Sequence, residues 1–164
     1  MDNSKLIREG IWNQFGASLE MLENAILMCP DEHWDTKLSF WYEAFHCIFW
    51  TDYYLTTEPG KFEPPKPFTF SEFDPKGKKP DRTYTKTELL LYLAYCKQKA
   101  NQLITKLTID SLNERWINDS KNYSLLEILL YNIRHIQHHS ARLNLLLRQT
   151  TNNAPNWVSQ VKNT

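Results

Sequence analysis

Three of the five histidines crowd one short string, Arg134-His135-Ile136-Gln137-His138-His139. Residues four apart on a helix lie one turn above each other, with about 5–6 Å between Cβ atoms. His135 and His139 can therefore reach one metal ion, in the i, i+4 arrangement that zinc-binding helices use. The apolar set Leu125, Leu126, Leu129, Ile133, Ile136, Leu143 and Leu147 marks the core face of that helix. At about 100° per residue, His139 falls roughly 60° from the centre of this face and His135 roughly 100° away. His138 lands nearly opposite and is expected in solvent. The spacing selects the pair 135/139 and rejects 138.

Two imidazoles do not complete a site, because zinc and nickel take three or more protein ligands. His46 is the third candidate. It stands mid-helix in the most apolar segment of the chain, where an unpaired imidazole is costly. That segment is too uniformly apolar for its period to say which way His46 points. Glu43, one turn earlier, is a candidate to hold a ligand from behind. Asp52 could cap its helix, pair with Arg134 or Arg142, or support a ligand. Trp12, Phe15, Phe49, Trp50 and Tyr53 read first as core, and some of them are candidates for a pocket wall beside the ion. His33 reads as a surface or capping residue. Cys47 beside His46 makes a poor Cys/His nucleophile pair, because adjacent helical residues point about 100° apart. Cys29, Cys47 and Cys96 contain no Cys-x-x-Cys spacing and are expected to be reduced and buried.

Four helices must position these groups. The first spans about Ser4 to Met28, with apolar residues at three- and four-residue steps from Leu6 to Leu27. The second spans about Lys37 to Leu55 and is apolar on nearly every side, which marks a central helix. The third opens at Thr85, with Glu88 three residues on as a capping box, and runs to about Leu107. The fourth opens near Tyr123 or Ser124, with Glu127 completing a second such signature, and runs to about Gln149. A polar stretch from Thr108 to Asn122 is expected to hold a short helix or turn. In the tail, Thr150 to Thr164, the pair Trp157 and Val158 is expected to dock.

Between the second and third helices, residues Thr56 to Arg82 hold six of the eight prolines, interleaved with Phe62, Phe68, Phe70 and Phe73. A connection this long needs a task in a compact domain. Here it can travel the height of a bundle and let the third helix run parallel to the second. The expected fold is an all-α, single-domain four-helix bundle, up-down-down-up. Its phenylalanines need a surface to lie on, and Lys76-Gly77-Lys78-Lys79 reads as a solvated part of the same loop.

Composition narrows the partners. The chain has 164 residues, with 19 Lys plus Arg against 19 Asp plus Glu. No basic excess is present for phosphate contacts, so nucleic acid is not an expected partner. No apolar run reaches the roughly 20 residues that span a bilayer, so a membrane is not one either. The N-terminus, Met-Asp-Asn-Ser-Lys, lacks the apolar run of a secretory signal, and a cytoplasmic location is expected. Only four Gly, with aromatics at 13%, disfavour an all-β or disordered chain. Apolar residues in the exposed loop allow a homodimer.

These residues together resemble the DinB-like superfamily, which includes the YfiT-like proteins. The matching strings are Phe40-Trp41-Tyr42-Glu43-Ala44-Phe45-His46 and Tyr131-Asn132-Ile133-Arg134-His135-Ile136-Gln137-His138-His139, with Trp12-Asn13-Gln14-Phe15 in the first helix. The resemblance implies an up-down-down-up bundle with a metal held by one histidine of the second helix and two, four apart, of the last. His46, His135 and His139 take those positions, and His138 does not. Some relatives are thiol S-transferases that use the metal to activate a low-molecular-weight thiol toward an electrophile, and others act as thiol-dependent isomerases or hydrolases, so the resemblance implies a metal-dependent transferase or hydrolase. Ala141-Arg142-Leu143-Asn144 departs from the Arg-Gly-Gln-like string that follows the last ligand in many of them. The expectation is a zinc or nickel protein acting on a small molecule, with an open position for water or a thiol. The alternative is a non-catalytic bundle with a structural metal, or one that sequesters a ligand or mediates subunit contacts.

Overall fold

A computed structural model describes residues 3–161. In chain order the elements are α1 (Asn3–Met28), α2 (Asp31–Trp34), α3 (Phe40–Tyr54), α4 (Lys86–Ile104), α5 (Ile109–Leu112), β1 (Arg115–Ile117), β2 (Asn122–Ser124) and α6 (Leu125–Thr151). The crossover between α3 and α4 carries two single 3-10 turns, Pro59–Lys61 and Phe70–Phe73.

The ends of the helices follow their capping chemistry. Thr85 accepts from the Glu88 backbone N–H and the Glu88 side chain reaches back, so α4 starts on a full capping box. Ser124 accepts from the Glu127 N–H at the start of α6. Helix α3 starts at Phe40, later than the apolar pattern suggests. Ser39 holds the left-handed conformation (φ 51°, ψ 49°), so the helical path cannot run back through it to Lys37. At the other end of α6, Asn152 is left-handed at φ 56° and closes the last turn.

Pairs of contacts fix the directions. Glu43 faces Arg142, His46 faces His139, Thr51 faces Asn132 and Tyr54 faces Tyr131, so α3 and α6 are antiparallel. Lys86 reaches the Cys29 carbonyl and Asp31 at one end of the bundle, and Lys99 reaches Asp52 and Thr56 at the other, so α4 runs parallel to α3. Arg8 donates to the Leu107 carbonyl at 2.9 Å, which sets α1 antiparallel to α4. The result is an all-α bundle, up-down-down-up. Helices α1 and α3 are diagonal, each packing on both α4 and α6. Its core is aromatic and aliphatic, from Phe15 and Leu22 to Phe45, Phe49 and Ile136.

The crossover lies on the bundle. Phe68 stacks on Tyr92 with ring centroids 4.3 Å apart, and Phe62 meets Phe49 and Tyr53 edge-on at 5.2 Å. Phe70 and Phe73 remain exposed. The polar stretch before α6 forms α5 and then an antiparallel hairpin, β1 against β2, with Trp116 opposite Tyr123. Trp116 anchors this hairpin by donating to the Thr56 carbonyl at 2.8 Å.

Of the expected pair in the tail, Val158 docks, half-buried with its N–H on Met21 Sδ at 3.2 Å, and Trp157 does not. Trp157 is 69% exposed, while Ala154, Pro155 and Val161 are buried. Val161 donates its N–H to the Asn13 carbonyl and sits on Gly16, where a Cβ would come within 2.8 Å of its side chain. That close approach requires glycine at position 16, and it leaves Trp157 on the outward side of the tail. Among the described residues, no helix is long and apolar enough to cross a membrane.

Candidate metal centre

The α3–α6 seam brings His46 to His135 and His139. Ring centroids lie 4.7 Å apart for His46–His139, 5.8 Å for His46–His135 and 4.5 Å for His135–His139. One ring nitrogen from each falls within 4.8 Å of the other two. The i, i+4 spacing on α6 stacks its two imidazoles along one edge, and the antiparallel α3 slots His46 against them.

Two of the three are held from behind by carboxylates. His46 Nδ1 lies 2.6 Å from Glu72 Oε2, and His139 Nδ1 lies 2.6 Å from Glu43 Oε1. A carboxylate at Nδ1 fixes the proton there, and the Nε2 lone pair is left for an ion. Glu72 Oε2 also accepts from Trp50 Nε1 at 2.9 Å, and Glu43 Oε1 accepts from Arg142 Nε at 3.1 Å. Burial works against ionisation of both glutamates. The hydrogen bond and charge of His139, with Arg142, nonetheless hold Glu43 below the usual carboxylate range, and His46 does the same for Glu72. Burial, then a hydrogen bond to Glu72, pushes the Tyr42 hydroxyl up to about 12.

His135 is the odd member. Both its ring nitrogens are buried and neither has a hydrogen-bond partner. Its ring stands edge-on to Tyr54 at 5.6 Å. Burial first, then the other histidines, push its pKa down to about 3, so it is neutral at physiological pH. A neutral imidazole with an orphaned nitrogen in a buried seam is costly without a partner. This donor set, three imidazoles with carboxylates behind two of them, fits a borderline-soft divalent cation. The three histidines could hold a metal ion.

Two hollows lie beside the seam. One hollow of about 600 Å³ runs along Tyr131, Arg134, His135, His138 and His139. A second, of about 640 Å³, lies between Trp50, Tyr53, Tyr54 and Phe73 and the turn of the hairpin.

The other candidates divide. Trp50 stands beside the site, 6.3 Å ring to ring from His46. Tyr53 is one step further, edge-on to Trp50 at 5.5 Å, and Phe49 packs beneath the crossover against Phe62 and Phe73. Glu43 supports His139, because one turn before His46 on α3 faces one turn further along the antiparallel α6. Asp52 does not serve the histidines and meets neither Arg134 nor Arg142. It points to the other seam, where it accepts from Lys99 Nζ at 2.6 Å and Tyr92 Oη at 2.9 Å. Trp12 and Phe15 are not pocket walls for an ion. Both stand on α1, diagonal to α3. Phe15 is core, and Trp12 lines a shallow hollow with Arg8 and Ile104 on the α1–α4 side. His138 is exposed, and His33 sits half-buried in α2. The three cysteines are free and buried, and burial pushes each thiol above its ordinary pKa, which removes them as nucleophiles.

Sequence reasoning missed Glu72, Tyr42 and Tyr54. Glu72 comes from the crossover, 26 residues after His46, and no period connects them. Its one signal is position, an acid between Phe70 and Phe73 where the loop lies on the bundle.

The DinB superfamily matches residues 14–143, a span that takes in all three histidines and both glutamates. No curated protein and no solved structure matches the chain.

Proposed function

The chain belongs to the DinB superfamily, and from that premise we propose that it is a divalent-metal protein of the thiol S-transferase type, acting on a small molecule. His46, His135 and His139 hold a zinc or nickel ion. The observation that carries this reading is His135, whose two ring nitrogens are buried and unpartnered, against two imidazoles whose outer nitrogens are already taken by Glu72 and Glu43. A bound divalent ion supplies Lewis acidity, lowering the pKa of a thiol or water brought to it.

The chain's own residues supply the rest. Glu72 and Glu43 keep the protons of His46 and His139 at Nδ1 and fix the ring directions. His135 stays neutral because burial disfavours its charged form. Trp50 and Tyr54 shield the seam from bulk water. The flanking hollows admit a thiol and an electrophile. In the transfer the thiol sulfur forms a bond to carbon, the leaving group departs with the bonding electrons, and the thiol proton passes to solvent.

Zinc titration of protein purified without a His tag, followed by metal analysis after desalting, tests this. Close to one equivalent is expected. His138→Ala should retain it and His135→Ala should lose it. Retention of less than about a tenth of an equivalent by the unaltered protein, against three well-placed ligands, would overturn the proposal.

A further inference from the structure

The second hollow has a chemistry of its own. Its walls are the faces and edges of Trp50, Tyr53, Tyr54 and Phe73, and its far rim is the hairpin turn ending at Lys121. A volume of about 640 Å³ falls within the ~300–1,000 Å³ of small-molecule sites. Two of its walls are shared with the histidine cluster, since Trp50 neighbours His46 at 6.3 Å and Tyr54 neighbours His135 at 5.6 Å. The hollow is therefore one side chain away from the histidines, with Trp50 and Tyr54 between.

The walls are fixed in place. Glu72 holds the Trp50 indole, and the Tyr53 hydroxyl accepts from Asn118 Nδ2 at 3.2 Å. Asn118 Oδ1 in turn accepts from the backbone N–H groups of Ser120 and Lys121, so the turn that presents Lys121 is preset.

Lys121 is the cation that lines this hollow. Lys61, Lys78, Lys86 and Lys99 each have a carboxylate within 4.0 Å. Lys121 has none among the described residues. Its ammonium lies 5.4 Å from the centroid of Tyr131 and 6.0 Å from that of Tyr54, with a single long hydrogen bond to Ser120 Oγ at 3.5 Å. Arg134, beside Tyr131 in the neighbouring hollow, also makes no ion pair among the described residues. The only carboxylate lining the aromatic hollow is Asp119, which is exposed at the turn.

We infer that this hollow binds a flat aromatic or conjugated small molecule bearing a carboxylate, its ring on Trp50, Tyr53 and Phe73 and its carboxylate on Lys121. Aromatic walls favour a planar π body. A half-buried ammonium set over tyrosine faces, with no counter-ion of its own, favours an anion. The inference names the electrophile class of the site proposed above and rests on that reading for its link to the histidines, while binding in the hollow itself needs no metal.

Equilibrium dialysis of chelator-treated, metal-free protein tests it, with para-nitrobenzoate against its neutral analogue para-nitrobenzyl alcohol as probes. Using metal-free protein prevents the carboxylate from reporting a bound ion instead of Lys121. The benzoate should bind about fivefold more tightly than the alcohol, the worth of one partly screened ion pair. Lys121→Gln should bring the two probes level, and Lys121→Arg should restore the preference. Equal binding of the two probes, binding of neither at millimolar concentration, or an unchanged preference in Lys121→Gln would overturn the inference. Zinc titration is the separate readout. Zinc uptake without an anion preference removes the hollow as proposed and leaves the metal centre. An anion preference without zinc uptake upholds the hollow and removes the metal centre.

Discussion

Helix α3 carries two buried polar constellations on two of its faces, and they follow opposite rules. On the α4 side, Asp52 is 0% exposed and fully answered. Lys99 donates to its Oδ1 at 2.6 Å, to its carbonyl at 3.1 Å and to Thr56 Oγ1 at 2.7 Å, while Tyr92 donates to Oδ2 at 2.9 Å. Burial still pushes the Asp52 carboxyl above its ordinary pKa, with Lys99 and Tyr92 pulling the other way. On the α6 side, both nitrogens of His135 are buried and unanswered. Native proteins satisfy nearly all buried polar groups, and a closed network specifies a structure. The difference separates a cluster whose partners all come from the chain from one that lacks a partner the chain does not supply.

The sharpest way to break this comparison is to open the closed side. Lys99→Met leaves a buried Asp52 with Tyr92 alone. Removing one partner of a buried pair should cost about 3 kcal/mol in chemical denaturation. Zinc affinity should stay within about twofold, because groups on separate faces with no shared partner behave additively. A tenfold loss of zinc affinity would show the two faces to be one network.

The converse change closes the open side. His135→Leu replaces an orphaned imidazole with an apolar side chain of similar reach. In metal-free protein it should raise stability by about 1 kcal/mol, since the desolvation cost of the unpartnered nitrogens disappears. With zinc present the order should reverse, because only the unaltered protein gains from the ligand. A loss of stability in metal-free protein would mean that His135 already has its partner in the fold, and the contrast between the two faces would fail.

What was legible in the sequence tracks the kind of signal. The pair His135/His139 and the solvated His138 follow from a helical period, and Thr85 with Glu88 from a local capping rule. Both are short-range and survive folding unchanged. The up-down-down-up path follows from the length of one loop. Glu72 was illegible because loops have no period, so nothing ties residue 72 to residue 46. Asp52 was misassigned because a helix apolar on every side hides its own orientation, and its partner Lys99 lies 47 residues on. The hairpin was lost because strands of three residues hold too few positions to alternate. Trp157 and Val158 stand out as the apolar pair of a polar tail, yet of the two only Val158 packs on the bundle. The close fit of Val161 on Gly16 decided the tail's path instead.

The smallest effect belongs to a third constellation, closed like the first but lying in water. At the start of α4, Glu88 accepts from the Thr85 N–H at 2.8 Å and pairs with Arg82, with Nη2 at 2.6 Å from Oε1. The Arg82 hydrogen bond first, then the Thr85 backbone, lower its carboxyl from 4.5 to about 2. Its folded pKa therefore lies below its unfolded one, and the folded state binds the proton less readily. The stability this group contributes is fully present above pH 4.5 and is lost as pH falls through about 2. Glu88→Gln should cost less than about 1 kcal/mol at neutral pH, as exposed pairs do. The gap to the unaltered protein should close across that acid range in parallel urea melts. If Glu88→Gln cost as much as Lys99→Met, partnering alone would set the worth of a polar cluster. If it costs a fraction as much, burial is the second condition. Of the three constellations, the α6 face of α3 alone then combines burial with a missing partner, and that combination is what points to a ligand.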